Sequence, residues 1–406
     1  MDALISPTTG VAQHMGVVEA LVSASKLMPP GFPMPQKITM DYLDQLLLYC
    51  VENRVEDLVL LDDEPLSVLW SDAVHRFPGR KIYLSELQEL LCKLVDDPGA
   101  ALRVARAEPC DFNYSVKTDR RKSIRFRCSA TACLGMGGAK GLEIIFRPVG
   151  KNVPSVEELG VEQYIVDACT PSSGIVIVTG PTGSGKSTLL DSILRKLLTS
   201  IPAKRLLSFC SPIENDLREI QGLIGQVVQA DIGPAGYGGH LKSYEEAVRN
   251  MLRRHPHAVY FGEARDKQTI EGAILSAMSS HLTYTTTHTS STHMTLSRMA
   301  DPFGLDRTRI IKSLIENTRL IVHQRLLPKS DGLGRVAIRS ALCITNDMRD
   351  ELMRATVDQV PVLMKEYTES HGLSLLKSAE QQFSYGNIHQ RSLDAIEQEL
   401  GGEVVA

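Results

Sequence analysis

The 406-residue sequence has no excess of basic charge: 44 lysines and arginines stand against 48 aspartates and glutamates, a net charge of -4. The electrostatic footprint of a DNA-tracking domain is missing, so direct nucleic-acid binding is not expected. Long apolar runs are missing too. No stretch approaches the ~20 residues of a membrane span, and no basic segment followed by an apolar core opens the chain. Neither a transmembrane segment nor a secretory leader is expected, and work at a membrane would require recruitment. Eight cysteines are scattered, mostly in apolar settings, without a Cys-x-x-Cys pair. That argues against zinc and for reduced core thiols in a cytoplasmic protein.

What is present is length for two or three domains and one organising stretch. Gly174 to Thr188 reads Gly-Ile-Val-Ile-Val-Thr-Gly-Pro-Thr-Gly-Ser-Gly-Lys-Ser-Thr. Four β-prone apolar residues run into a glycine turn, and Leu189, Leu190, Ile193, Leu194, Leu197 and Leu198 follow at helical spacing. Strand, loop and helix come in that order, and Gly180, Gly185, Lys186 and Ser187 fill the pattern G-x-x-x-x-G-K-[ST] of a phosphate-binding loop. The loop comprises Gly180, Pro181, Thr182, Gly183, Ser184, Gly185, Lys186, Ser187 and Thr188. Its glycines let backbone N–H groups close around phosphate, Lys186 reaches the β- and γ-phosphates, and Ser187 can hold Mg2+. A nucleoside triphosphate is the expected ligand.

Upstream, residues 1–36 are polar and proline-bearing and read as an extended arm. From Ile38 the pattern is globular. Leu43, Leu46, Leu47 and Cys50 mark an amphipathic helix, and Asp57 to Leu61 and Leu66 to Trp70 read as strands. Ser85 and Gln88 suggest a capping box for a helix burying Leu87, Leu90, Leu91 and Leu94. Strand-like runs over 111–116, 123–128 and 142–147 complete a small α+β domain. Arg125 and Arg127 share a strand face, which taken alone reads as solvated. Residues 151–154 read as a linker.

Downstream, Leu206 to Phe209 forms a strand followed by Glu214, at the strand end where open α/β sheets place ligands. Gly233 to Gly239 is a flexible excursion, and Tyr244 to Arg254 reads as a helix carrying Arg249 and Arg253 on one face. The apolar run from His257 to Gly262 ends in Glu263, the Walker B pattern of an acid placed across from the phosphate loop. A threonine-rich, β-prone run over 280–289 carries His281 and His288. After Met299 the chain reads mainly as helix, with Leu320 and Ile321 on a buried helical face and Gln324 to Pro328 closing the section. A strand around Val336 to Ile344 and further helices follow.

Taken together, the Gly180 to Thr188 loop, Ser211-Pro-Ile-Glu214, Gly262-Glu-Ala-Arg-Asp266, Ser280-His-Leu with Thr286-Thr-His-Thr289, and Gln324-Arg-Leu-Leu327 resemble the secretion and pilus motor ATPases of the GspE/PilT-like superfamily. The resemblance implies an α/β chain, with a PAS-like α+β N-terminal domain over 37–150, a RecA-like P-loop ATPase domain over 151–345 and a helical segment over 346–406. It makes Glu263 the Walker B glutamate, Glu214 the Asp-box acid, and His281 and His288 the His-box histidines. It carries Arg127 and Arg147 to the phosphates of bound ATP, with Arg125 a weaker match, and implies Mg2+ and a homohexameric ring.

Departures help choose a branch. His255-Pro-His257 stands where Asp-Pro-Asp is frequent, Cys210-Ser-Pro-Ile-Glu214 replaces Glu-Asp-Pro-Ile-Glu, and no tetracysteine module occurs. The chain looks most similar to the type IVB secretion and plasmid conjugal transfer motors, the DotB/TraJ-like group. That implies partners among the inner-membrane and cytoplasmic components of a type IV secretion or conjugation machine, and peripheral recruitment to the inner membrane. A type IV pilus retraction ATPase and a nucleotide-gated docking platform with little turnover are the alternative readings.

Overall fold

The computed structural model describes residues 34–70, 73–119, 122–149, 153–233, 239–332 and 334–402. The expected arm up to residue 33, the first two residues of the linker and residues 234–238 of the glycine-rich excursion lie outside them. The backbone groups into two units, one running to Val149 and the other beginning at Gly150.

The first unit starts with α1 (Met40–Glu52), whose N-cap Thr39 accepts the Tyr42 N–H. It continues through β1 (Asp57–Leu61), β2 (Pro65–Trp70), β3 (Ala73–Lys81), α2 (Leu84–Leu94), α3 (Ala100–Ala105), β4 (Cys110–Asp119), β5 (Lys122–Leu134) and β6 (Lys140–Pro148). The described strands form one antiparallel sheet in the order β3-β2-β1-β6-β5-β4. Leu58, Leu60, Phe126, Cys128, Ile144 and Phe146 share a core with Leu43, Leu47, Leu87 and Leu91 of the helices. Strand alternation therefore turns Asp57, Arg125, Arg127 and Arg147 to the other face.

Two expectations change here. The capping box of Ser85 does not form, because α2 already begins at Leu84 with Tyr83 as an N-cap that makes no side-chain bond. The strand β3 was not expected from its sequence, since Pro78 and Gly79 interrupt it; as an edge strand it tolerates both.

The second unit contains α4 (Gln163–Ala168), β7 (Gly174–Thr179), α5 (Lys186–Thr199), β8 (Arg205–Cys210), β9 (Gln226–Asp231), α6 (Tyr244–Met251), β10 (Ala258–Phe261), α7 (Lys267–Met278), β11 (Leu282–Thr287), α8 (Thr295–Ala300), α9 (Arg307–Asn317), β12 (Thr318–Pro328) and β13 (Arg335–Cys343). It ends in α10 (Asn346–Arg354), α11 (Gln359–Ser370), α12 (Leu375–Ser384) and α13 (Gln390–Gly402). The sheet order is β13-β12-β7-β11-β10-β8-β9, parallel except where β13 joins β12 antiparallel. The strand β7 is buried on both faces. Val176 and Val178 pack with Leu189 and Ile193 of α5, and Ile175 and Ile177 pack with Ile310 and Leu314 of α9. Double burial accounts for its unbroken Ile-Val-Ile-Val run.

The same physics corrects the expected helix beyond Met299. That helix stops at Asn317, and Thr318 to Pro328 is the strand β12, running beside β7. Leu320, Ile321 and Val322 are fully buried because both sheet faces are covered, and such a run lacks the alternation that marks a half-exposed strand. The helix α6 ends at Met251, short of Arg253, and Arg249 pairs with Glu245 one turn back. All eight cysteines are free thiols. Among the described residues no helix is long and apolar enough to cross a membrane, and no cluster of metal-ligating side chains occurs.

Candidate active site

Parallel pairing brings the carboxyl ends of β7, β8, β10 and β11 to one edge of the sheet. The phosphate loop follows β7, Glu214 follows β8, Glu263 follows β10 and His288 follows β11, so chain order alone delivers the four to that edge. Within the loop, Gly180 has φ +147°, and a Cβ there would come 2.3 Å from Gln324 O and 2.7 Å from Ser184 Oγ. Only glycine fits that approach. Gly185 is the N-cap of α5 and provides no side-chain bond, which leaves the first-turn N–H groups of the helix for an anion. The Ser184 hydroxyl is buried without a hydrogen-bond partner. Uncapped first-turn N–H groups, an orphaned hydroxyl and a lysine form a donor set that fits a polyphosphate.

The Lys186 ammonium currently satisfies itself within the site. It donates to Gly180 O at 3.0 Å, to Pro181 O at 2.9 Å and to His288 Nδ1 at 3.3 Å. Burial lowers its pKa, and the charges of Glu263 and Glu214 oppose that shift. Because the ammonium donates, Nδ1 of His288 must accept, which assigns the ring proton to Nε2. That nitrogen stands 3.6 Å from Glu263 Oε1. His288 therefore lies between the cation of the loop and the acid across from it.

The threonine run explains how Glu263 is held. Thr286 Oγ1 donates to Gly262 O at 2.7 Å and Ala264 N–H donates to Thr286 O at 2.8 Å, clamping the peptide groups on both sides of the glutamate. Gly262 lies tight against Cys210, whose Sγ would be 3.1 Å from an added Cβ. Glu214 sits on a loop pinned from three directions. Asn215 donates to Asp191 Oδ2, Gln229 Nε2 donates to Asn215 O at 2.9 Å, and Ile213 N–H donates to Asp231 Oδ1 at 2.6 Å. Asp191 is buried beneath this loop, and burial pushes its carboxyl up to about 7, against the pull of the Asn215 bond.

Other residues singled out in the sequence lie elsewhere. His281 precedes β11; its carbonyl accepts the Gly174 N–H at 3.1 Å and its ring Nδ1 is 3.2 Å from Ser276 O. It stands at the amino end of the strands, about 20 Å of extended chain from their carboxyl ends, and the structure does not bring it to the loop. Arg127 and Arg147 belong to the first unit, directly opposite each other on β5 and β6. Arg147 forks onto Asp57, with Nε to Oδ1 and Nη2 to Oδ2 both at 2.6 Å, and Arg125 O accepts the Val149 N–H. Ser187 is half-buried and Thr188 exposed on the first turn of α5.

Sequence reasoning assigned no role to Gln324, yet its Nε2 donates to Ser184 O at 2.6 Å. It lies in Gln324-Arg-Leu-Leu327, and a helical expectation for that stretch hides that β12, paired with β7 as far as His323, carries Gln324 to the phosphate loop. Asp191 and Asn215 carried no signal, since their pairing joins separate elements.

A family model described as "Type II/IV secretion system protein" matches residues 103–383. The type IV pilus retraction ATPase PilT of Pseudomonas aeruginosa is 30% identical over 325 residues, 78% of this chain and 87% of that protein. The type IV pilus ATPase PilU of the same organism is 29% identical over 346 residues, 85% of this chain and 86% of that protein. The X-ray structure of the Legionella pneumophila ATPase DotB superposes with a TM-score of 0.80 at 30% identity, covering 90% of this chain and 97% of that one.

Proposed function

Because the chain belongs to the type II/IV secretion system protein family, we propose that it is a hexameric ATP-hydrolysing motor powering a type IV secretion or plasmid conjugal transfer system at the cytoplasmic side of the inner membrane. The observation that carries this reading is the line from Lys186 through His288 to Glu263 at the rim of the phosphate loop. Lys186 exchanges its loop carbonyls for the β- and γ-phosphates of ATP, and Ser187 holds Mg2+, which neutralises phosphate charge. Glu263 orients the attacking water, and His288 links that acid to the lysine. Glu214 adds negative charge within reach of Lys186. The resemblance gives Arg127 and Arg147 contact with the phosphates, His281 a place in the His box, and the chain a PAS-like domain over 37–150, a RecA-like domain over 151–345 and a helical segment over 346–406.

The likeness to DotB supports the secretion reading. The 30% identity to PilT supports a second one, a pilus retraction motor. The test is ATP turnover by the purified full chain with Mg2+, at concentrations that assemble the ring, beside Lys186→Ala. Turnover in the parent and loss of nucleotide binding in the variant are expected. Tight ATP binding without turnover would favour a docking platform, and turnover stimulated by DNA would replace the motor reading. Pull-down of inner-membrane transfer components, as opposed to pilus components, separates the two motor readings.

A further inference from the structure

A polar line with a buried centre at Gln324, Arg339 and Ser378 runs beneath the phosphate loop. Gln324, on β12, is 3% exposed; its Nε2 donates to Ser184 O at 2.6 Å and its Oε1 accepts Arg339 Nε at 2.8 Å. Arg339 is its direct partner across the antiparallel pair with β13 and is 1% exposed. The remaining guanidinium donors reach Glu162 Oε2 at 3.0 Å, Gly160 O at 3.3 Å and Leu159 O at 3.3 Å. The other oxygen of Glu162 accepts Ser378 Oγ from α12 at 2.7 Å, and that hydroxyl in turn accepts the Arg339 N–H at 3.0 Å. Four separate parts of the chain meet here: the loop, the β12–β13 pair, residues 159–162 and α12.

Stability gives little reason for such a line, because apolar groups of the same shape commonly replace a buried ion pair without loss. Its directional bonds instead fix positions. A trans peptide is planar with its C=O and N–H on opposite sides, so a grip on Ser184 O turns the Gly185 N–H away from Gln324 and toward the side where phosphate would lie. The loop also rests against Gln324 at two further points. A Cβ on Gly180 would meet Gln324 O at 2.3 Å, and one on Gly185 would meet Gln324 Nε2 at 3.0 Å. Any shift of the loop is thus felt at Gln324. At its far end the line grips residues 159–162, just after the chain enters the second unit, and α12 of the C-terminal helices.

We propose that Gln324 and Arg339 are positioning residues that set the Ser184–Gly185 peptide for phosphate and transmit the occupancy of the loop to residues 159–162 and to α12. The proposal rests on the reading of the loop as a nucleotide site. Hydrogen exchange of the full chain, with and without Mg2+ and a fluorescent ADP analogue, tests it alongside kcat and KM for ATP. In the parent, nucleotide should slow exchange in the loop and by about threefold or more in 159–163 and 375–384. Gln324→Met keeps the length of the side chain and the Arg339–Glu162 pair. It should still bind the analogue and protect the loop, lose the protection of both remote segments, and lower kcat about tenfold with KM within about twofold. Remote protection equal to the parent's in this variant overturns the proposal.

Should Gln324→Met fail to fold, Ser378→Ala decides, because it removes one hydroxyl at the far end. It should lose the nucleotide response of 375–384 and keep that of 159–163, and an unchanged response in 375–384 overturns the proposal. A parent that binds the analogue without any remote response overturns this proposal alone. A parent that binds none overturns the nucleotide reading as well.

Discussion

The ammonium of Lys186 donates to Nδ1 of His288 across 3.3 Å, tying the phosphate loop to the turn after β11. The bond fixes the tautomer of the ring, so its Nε2 proton faces Glu263 at 3.6 Å. Removing the charge of Glu263 while keeping its shape should spare nucleotide binding, which depends on the loop, and stop the step in which the carboxylate orients the attacking water. Glu263→Gln should bind ATP within about threefold of the parent and turn it over at least about a hundredfold more slowly. Single-turnover hydrolysis and equilibrium binding measure the two effects separately. Parent-like turnover would remove Glu263 from the reaction.

Arg147 offers a different separation. Its side chain is 61% exposed, whereas its partner Asp57 is 5% exposed, so losing the arginine strands a buried group while losing the aspartate strands a solvated one. Arg147→Ala leaves a buried carboxylate facing no guanidinium and should destabilise the first unit by about 1–3 kcal/mol, the lower part of the range being set by solvent around the arginine. Adding Asp57→Asn should recover most of that loss, a coupling that urea denaturation of the two single variants and the double variant reads directly. If Arg147→Ala instead lowers ATP turnover with no loss of stability, its contribution is to the nucleotide and not to the sheet.

The parts of this molecule that are legible in the sequence are those whose chemistry is local. The loop from Gly180 to Thr188 announces itself because β7, the turn and α5 are contiguous, and the acid after β10 is visible because it closes an apolar run. Burial on two faces defeated the same reasoning at β12, where an unbroken apolar stretch resembles a helical face as much as a strand. Gln324, Arg339 and Glu162 are not legible because their bonds join residues more than a hundred positions apart or cross the β12–β13 pair, of which the sequence suggests only β13 as a strand. The threonines of β11 were visible as a run. Their role, bracing the peptides around Glu263, depends on the register of neighbouring strands and is invisible before the sheet is assembled.

Asp191 and His323 lie in the core near the loop and titrate with opposite consequences for stability. Burial raises Asp191 from 3.8 to about 7, with the charge of Glu214 adding to the shift. Between those values the folded chain keeps a proton that the unfolded chain has released, so stability falls as pH rises through that window. His323 pairs in register with Thr179 at the end of β7, and its Nδ1 is buried without a partner. Burial lowers it from 6.5 to about 4, helped by Arg325, His293 and Lys186. There the unfolded chain holds a proton that the folded chain lacks, and stability rises with pH. At about 1.4 kcal/mol per unit, the two groups contribute roughly 4 and 3 kcal/mol with opposite slopes and largely cancel in the parent. Each single variant should expose the pH dependence that the replaced group conceals. His323→Gln should lose stability progressively from about pH 4 to 7, and Asp191→Asn should gain it from about pH 4 to 6.5. Denaturant midpoints across that range measure both against the parent, whose remaining carboxylates contribute the same slope to all three chains and drop out of the comparison. Three parallel curves would mean that neither group carries its proton as its burial requires.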